Sequence, residues 1–300
     1  MSTHSSSQSS QSFMQRNNFL IRRLHSLSGI VPIGVFLVIH LITNSSLAWG
    51  WFALRGRGQA EGLSIAEGGV KYFQHEVSWI NTQVPHLFLT EVTLWAAIGF
   101  HSVLGFYYAT TGKGNLPHYK HQDNFRYSLQ RWSGYIGILF IFYHVATLRW
   151  GWEFLVPGGT EWSHHYSAST LAAALQGSQE GWTAKGVAVS IFYFLGISLL
   201  VFHFANGLWT AAITWGLTVS EHAQKKWGYV CAALGAGLML AAWSSLGGAL
   251  ALDYDTALAV EEAMHESHSN DFDEELGDTL ETTEALQDQS DIEIAAEPEG

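Results

Sequence analysis

Five stretches of this chain run without a single Asp, Glu, Lys or Arg for roughly the length of a bilayer crossing. They are Leu24 to Leu54, Val92 to Gly112, Trp132 to Leu148, Gly186 to Ser220 and Trp227 to Leu252, or 31, 21, 17, 35 and 26 residues. Glu91 alone separates the second run from a further clean stretch beginning at Val77. A helix needs about 20 apolar residues to cross a hydrocarbon core of about 30 Å. Backbone groups in lipid must be bonded within their own segment, so such runs fold as helices. The expected fold class is an all-α membrane protein with five transmembrane helices, at about 26–49, 86–110, 131–150, 187–217 and 228–251. Five such runs are too many to bury in a soluble core of this size.

Punctuation along the chain agrees. Pro85 sits where a helix begins without losing a needed N–H, and Pro117 and Pro157 fall in loops. Pro32 lies inside the first span and is expected to bend it. Trp49, Trp51, Trp79, Trp132, Trp150, Trp152 and Trp227 gather near span ends, as interfacial aromatics do. Residues 1–12 are Ser/Gln-rich and lack the basic start and apolar stretch of a cleaved signal.

Charge divides the chain. Of 26 acidic residues, 17 lie between Asp253 and Glu299, and no Lys or Arg follows Lys226. The domain reading is a disordered tail over 1–15, a membrane domain over 16–252, and an acidic, disordered tail over 253–300. With the N-terminus inside, nine basic residues flank the inner span ends (Arg16, Arg22, Arg23, Lys113, Lys120, Arg126, Arg131, Lys225 and Lys226). Five flank the outer ones (Arg55, Arg57, Lys71, Arg149 and Lys185). The bias puts the N-terminus in and, with five crossings, the C-terminus out. No basic cluster is large enough for nucleic acid. The lone cysteine, Cys231, excludes an intrachain disulfide, a Cys-ligated iron–sulfur cluster and covalent haem attachment.

Four of the 15 histidines sit deep in four different spans: His40, His101, His144 and His203. Intramembrane ionisable groups need partners, and apart from Glu91 no acid shares their stretch of bilayer. Neutral imidazole is a good axial ligand for haem iron, and coordination would offset burial. Counted from the outer helix ends, His40 is about 9 residues in and His144 about 6, while His101 and His203 are each about 16 in. At 1.5 Å per residue this makes two levels roughly 10–15 Å apart. His40 with His144 would clamp an outer haem and His101 with His203 an inner one, inside a bundle of the first four spans. Gly29, Gly105, Gly137, Gly196 and Gly207 return to nearly the ligand faces, where a flat porphyrin needs small neighbours. Arg149 suits an outer propionate; Arg23, Arg126 and Arg131 suit inner ones. A transporter or proton relay whose histidines bind no metal is the competing reading.

The segments RRLHSLSGIVPIGVFLVIHLITNS from Arg22, FHSVLGFYYA from Phe100, QRWSGYIGILFIFYHVATLRW from Gln130 and FHFANGLWTAAITWGLTVS from Phe202 carry a family resemblance. Over roughly residues 16–250 the chain resembles the diheme cytochrome b membrane subunit of bacterial succinate dehydrogenases and related fumarate reductases. The resemblance implies five helices in the bacterial cytoplasmic membrane and two b haems, the His40/His144 one of low potential and the His101/His203 one of high potential. It further implies a flavoprotein and an iron–sulfur subunit docked on the cytoplasmic face, and a membrane quinone, usually menaquinone, as acceptor near the outer haem. Succinate oxidation itself would take place in the partners. His75, Glu76, His86 and Glu91 toward the outer face, with His25 and Ser28 at the inner face, are the candidates for quinone protons. Val201 stands where some diheme fumarate reductases carry a glutamate. His164 and His165 have no implied role. A diheme anchor of a fumarate reductase or another membrane dehydrogenase remains an alternative.

Overall fold

The computed structural model describes residues 13–83, 87–111 and 123–267. Among these residues the regular structure is helical throughout. The main helices are α1 (Asn18–Ile30), α2 (Pro32–Ala53), α3 (Ile65–Gln83), α4 (Leu87–Thr111), α5 (Asp123–Leu148), α6 (Ser167–Gln176), α7 (Ala184–Thr214), α8 (Glu221–Ala251) and α9 (254–267). A single helical turn, Phe13–Arg16, precedes α1, so helix begins inside the segment expected to be disordered to residue 15.

Among the described residues four helical stretches are long and apolar enough to cross a membrane: Asn18–Ala53, Leu87–Thr111, Ala184–Thr214 and Glu221–Ala251. They match four of the five expected spans. The fifth, α5, is a helix of 26 residues, but Asp123, Arg126 and Arg131 occupy its first part and lower its hydropathy. The first span divides at Val31, because Pro32 at the first position of α2 offers no N–H to the turn before it. Thr183 caps α7 by accepting from the Gly186 N–H at 3.0 Å, and Ser220 caps α8 by accepting from Ala223 at 3.2 Å. In the bundle α1 packs on α4 and α7, α5 on α7, and α8 on both α2 and α7.

The larger buried core joins the His144 end of the bundle to α3, α6 and α9, which lie outside the expected spans. Every residue of α6 is buried, although no side chain of its own caps its first turn. Its exposed-donor problem is solved from elsewhere. Gln74 of α3 accepts from the Ser167 N–H at 3.0 Å and hydroxyl at 2.6 Å. Glu261 of α9 accepts from Ala168 N–H at 2.6 Å, Ser169 N–H at 3.3 Å and the Ser169 hydroxyl at 2.5 Å. The negative charge of a carboxylate also complements the helix dipole there.

The acidic segment after Leu252 therefore does not begin as a disordered tail. Asp253 starts α9 by accepting from the Thr256 N–H at 3.0 Å and hydroxyl at 2.8 Å. Ala257 and Glu261, one turn apart, are both 0% exposed, while Asp255, Glu262 and Glu266 face outward. One helical face is small and apolar enough to pack, which net charge alone does not reveal. Residues 268–300 lie outside the described residues.

Burial holds the Glu261 carboxyl above its ordinary range. A carboxyl raised by folding leaves docking strongest below its ordinary value of 4.5 and weakens it as pH rises through the raised one. Amide protection over 254–267, taken relative to the intrinsic exchange rate, is thus expected to fall as pH rises through that raised value, and Glu261→Gln should remove the dependence. Glu261→Ala, which strands three donors, should weaken docking by about 2–3 kcal/mol at all pH values. Wild-type protection independent of pH would contradict this.

Candidate functional site: paired histidines in the bundle

A cavity of about 740 Å³ runs between the helices. Its lining includes all four expected histidines and one more, His25. The His40 ring of α2 and the His144 ring of α5 stand 5.7 Å apart at 79°. The His101 ring of α4 and the His203 ring of α7 stand 6.1 Å apart at 80°. The two pairs are those expected from helix depth. Gly29 lies against His101 and Ser133 against His203. Counting eleven residues from Gly29 to His40, and eleven from Ser133 to His144, puts the levels about 16 Å apart.

The inner pair is held by backbone carbonyls. His101 Nδ1 is 2.9 Å from the His25 oxygen and His203 Nδ1 is 3.1 Å from the Gln130 oxygen. A carbonyl only accepts, so each Nδ1 carries the proton and each Nε2 keeps its lone pair. This is the arrangement that prepares an imidazole to ligate a metal. Ser28, an expected quinone-site residue, instead donates its hydroxyl to the His25 carbonyl at 2.8 Å and sits 3.4 Å from His101 Nδ1.

The outer pair is held by rings. Phe36, one turn before His40, stacks on it at 5.3 Å. Phe140, one turn before His144, stacks at 5.8 Å, and Tyr193 meets His144 edge-on at 5.8 Å. His40 Nδ1 faces the Asn44 amide nitrogen at 3.3 Å, and His144 Nδ1 is buried with no hydrogen-bond partner. His25 was not among the expected ligands. Its ring lies flat on His101, 4.0 Å away at 13°, and its own Nδ1 is a second buried atom without a partner.

Glycines do shape this space, though not all as expected. A Cβ on Gly29 would fall 2.6 Å from the His101 Cε1, so this glycine serves the inner pair and not His40. Gly134, which carried no expectation from the sequence, does the same for His203 at 3.2 Å. Gly196 makes room for Phe140 and Gly137 for Leu200.

The remaining expected residues separate clearly. Arg149 Nε donates to Glu91 Oε1 at 2.5 Å, and both line the outer part of the cavity. Arg131 lines it too, with its guanidinium 5.6 Å from the Tyr127 ring. Arg23 lies over Phe19 with its Nε buried and unpartnered. Arg126 donates to Asn206 Oδ1 at 2.8 Å. His75 is mostly exposed and lies 3.6 Å from Glu76; neither is among the cavity-lining residues. His86 lies outside the described residues. His164 and His165 form an outer cluster with His265, whose Nε2 is 2.7 Å from the His165 carbonyl.

Among the described residues no three His, Cys or acidic side chains converge on one point as a protein-only metal site requires. Two imidazoles per level do fit a group that brings its own equatorial donors. Metal–nitrogen bonds of about 2 Å on opposite sides set imidazole centroids about 6 Å apart, which is the separation of both pairs.

Known proteins point the same way. No protein-family model matches the chain, and no solved structure matches it. The succinate dehydrogenase cytochrome b558 subunit of Bacillus subtilis (strain 168) is 32% identical over 213 residues, covering 71% of this chain and 87% of that protein. The chain belongs to the succinate dehydrogenase cytochrome b subunit family. The membership agrees with the helical bundle and makes this subunit part of an enzyme complex.

Proposed function

We propose that this chain anchors a succinate:quinone oxidoreductase in the membrane and links its iron–sulfur subunit to a membrane quinone, menaquinone being the expected acceptor. The chain holds two b haems, one between His40 and His144 and one between His101 and His203. Each haem, once bound, supplies one-electron transfer, and two imidazole ligands leave its iron no open position for substrate. The observation that carries the reading is the pairing itself: perpendicular rings at 5.7 and 6.1 Å, at two levels of one apolar cavity, in a chain of this family.

The chain's own residues do the rest. The carbonyls of His25 and Gln130 fix the inner tautomers, so both Nε2 atoms keep a lone pair for a metal. Aromatic rings around His40 and His144 exclude water from the outer level. Arg23, with an unpartnered buried Nε, and Arg131, at the cavity wall, are the cations placed for inner propionates. At the outer end, Glu91, ion-paired to Arg149, would pass protons to quinone, and Arg149 would serve an outer propionate. Helix α5 completes five crossings. Its 26 residues span about 39 Å, and it reaches from His203 at the inner level to His144 at the outer. The N-terminus is then cytoplasmic, with the flavoprotein and iron–sulfur partners on that face.

The complex purified from membranes is expected to contain two protohaems per copy of this chain and to reduce a menaquinone analogue with succinate. A preparation with the flavoprotein bound but no Soret absorbance would overturn the haem assignment and favour a metal-free histidine relay.

A further inference from the structure

Beneath the inner histidine pair, α5 and α7 share a polar network that the proposed electron path does not use. Gln130 meets His203 twice. Its main-chain oxygen lies 3.1 Å from the ring Nδ1, and its side-chain Nε2 donates to the His203 carbonyl at 3.1 Å. The Gln130 Oε1 accepts from Asn206 Nδ2 at 2.8 Å. Asn206 Oδ1 in turn accepts from Arg126 Nη2 at 2.8 Å. The Arg126 guanidinium lies over the Trp209 ring at 4.2 Å, and Trp209 Nε1 donates to the Gln224 carbonyl at 3.0 Å.

The spacing is built for this. Arg126 and Gln130 are one turn apart on α5; His203 and Asn206 are one turn apart on α7, so two polar steps interleave between the helices. Asn206 is only 5% exposed, and its amide leaves no free choice of orientation: the oxygen must face the guanidinium and the nitrogen must face Gln130 Oε1. Gln130 Nε2 is thereby turned to the His203 carbonyl. Among the described residues no carboxylate pairs with Arg126, so its charge stays uncompensated by an ion of opposite sign.

We infer that Arg126, Asn206 and Gln130 form a positioning relay that locks the His203 imidazole and holds one positive charge below the inner level, raising its reduction potential. The inference rests on the two-haem reading. Arg126 is accordingly a positioning residue and not a propionate partner, since its Nη2 is turned to Asn206, its face to Trp209, and it is not among the residues lining the cavity. A fixed cation favours the state with one more electron, and low local polarity preserves that effect. The ring itself is held at Nδ1 by the Gln130 main-chain carbonyl and the Ser133 hydroxyl, and the amide chain fixes Gln130 against α7.

The test is redox titration and low-temperature electron paramagnetic resonance of the intact complex carrying Arg126→Gln, Arg126→Lys or Asn206→Leu. In Arg126→Gln the inner component's reduction equilibrium should fall at least tenfold, about 59 mV for one electron, with both haems retained. Arg126→Lys should recover most of that shift, because charge returns without the planar fork. Asn206→Leu should move the inner low-spin signal by loosening Gln130, whose main-chain carbonyl orients the ring, and leave the outer component unchanged. Retention of both wild-type potentials and signals in Arg126→Gln would overturn the relay while leaving the two-haem reading intact. Equal shifts in both components would also overturn it, as a general loosening of the bundle. Absence of haem from the wild-type complex would instead sink the two-haem reading, and the relay with it.

Discussion

In the complex carrying His101→Ala, one of the two haem components is expected to vanish, and the same one should vanish in His203→Ala. His40→Ala and His144→Ala should each remove the other. A haem iron that loses one of two imidazoles keeps a single strong protein bond, and the truncated side chain leaves a hole beside it. The double change His101→Ala with His203→Ala should lose no more haem than either alone, whereas His101→Ala with His144→Ala should lose both. That non-additivity within a pair, and additivity between pairs, is the signature of shared sites. His25→Phe provides the contrast. The His25 ring lies 4.0 Å from His101 and nearly parallel to it, too close for a metal between them. What His25 gives its neighbour is a main-chain carbonyl, which any residue supplies. Haem content should therefore stay at two in His25→Phe, with at most a shift in the inner spectrum. Loss of the inner haem in His25→Phe combined with its retention in His101→Ala would show that the pairs are wrongly drawn. Reduced-minus-oxidised spectra and a pyridine haemochrome assay read all of these outcomes.

Four of the five expected spans, and which histidine rings lie side by side, were legible because each rests on a one-dimensional signal. A run of about 20 apolar residues without charge is the length a bilayer crossing demands and more than a soluble helix usually sustains, and depth along a straight helix follows from counting. The same counting underestimated the separation of the levels, since outer span ends taken from charge alone are blurred by a few residues: α7 begins at Ala184 and not near 187, and α5 ends at Leu148 and not near 150. The outer cap was missed for a different reason. Helices α3, α6 and α9 are stabilised by partners distant in sequence. The first turn of α6 depends on Gln74 and Glu261, each more than 90 positions away. One local signal was present: Ser64 and Glu67 form a capping box at the start of α3, with Ser64 N–H donating to Glu67 at 2.7 Å and Glu67 N–H to Ser64 at 3.3 Å. The acids of α9 pointed toward disorder because composition averages over both faces of a helix. His25 reads from the sequence as an inner-face quinone candidate beside Arg22 and Arg23, and not as a neighbour of His101. Its position beside His101 depends on how α1 meets α4, which no pattern within one segment encodes.

Among the described residues, Gly186→Ala is expected to damage the outer end more than any other glycine-to-alanine change. Gly186 lies in the first turn of α7, directly against the last turn of α6. An added Cβ would fall 1.8 Å from the Gln176 carbonyl oxygen and 2.1 Å from its carbon. These are backbone atoms, so no side chain can rotate aside and one helix must move. The contact is tight because three bonds draw the helices together there. Thr183 N–H and hydroxyl donate to the Gln176 carbonyl at 2.9 and 3.4 Å, and Ser190 donates to the Leu175 carbonyl at 2.9 Å. Separating α6 from α7 strains all three and opens the core around Leu175, Tyr193 and Leu252. The expected loss is about 4 kcal/mol or more, in the range reserved for severe core damage. Through Tyr193 and Phe140 the disturbance reaches His144, so the outer haem component should broaden or be lost while the inner one persists. Gly237→Ala is the matched control. It sits in the interior of α8 with nothing within 4 Å of the added carbon, and should be neutral or stabilising by about 0.5–1 kcal/mol. Thermal unfolding of the two variants in detergent, followed by haem absorbance, separates the cases. A Gly186→Ala complex that melts with the wild type would show that α6 is not clamped to α7 as described, and would release the outer histidine pair from dependence on the cap.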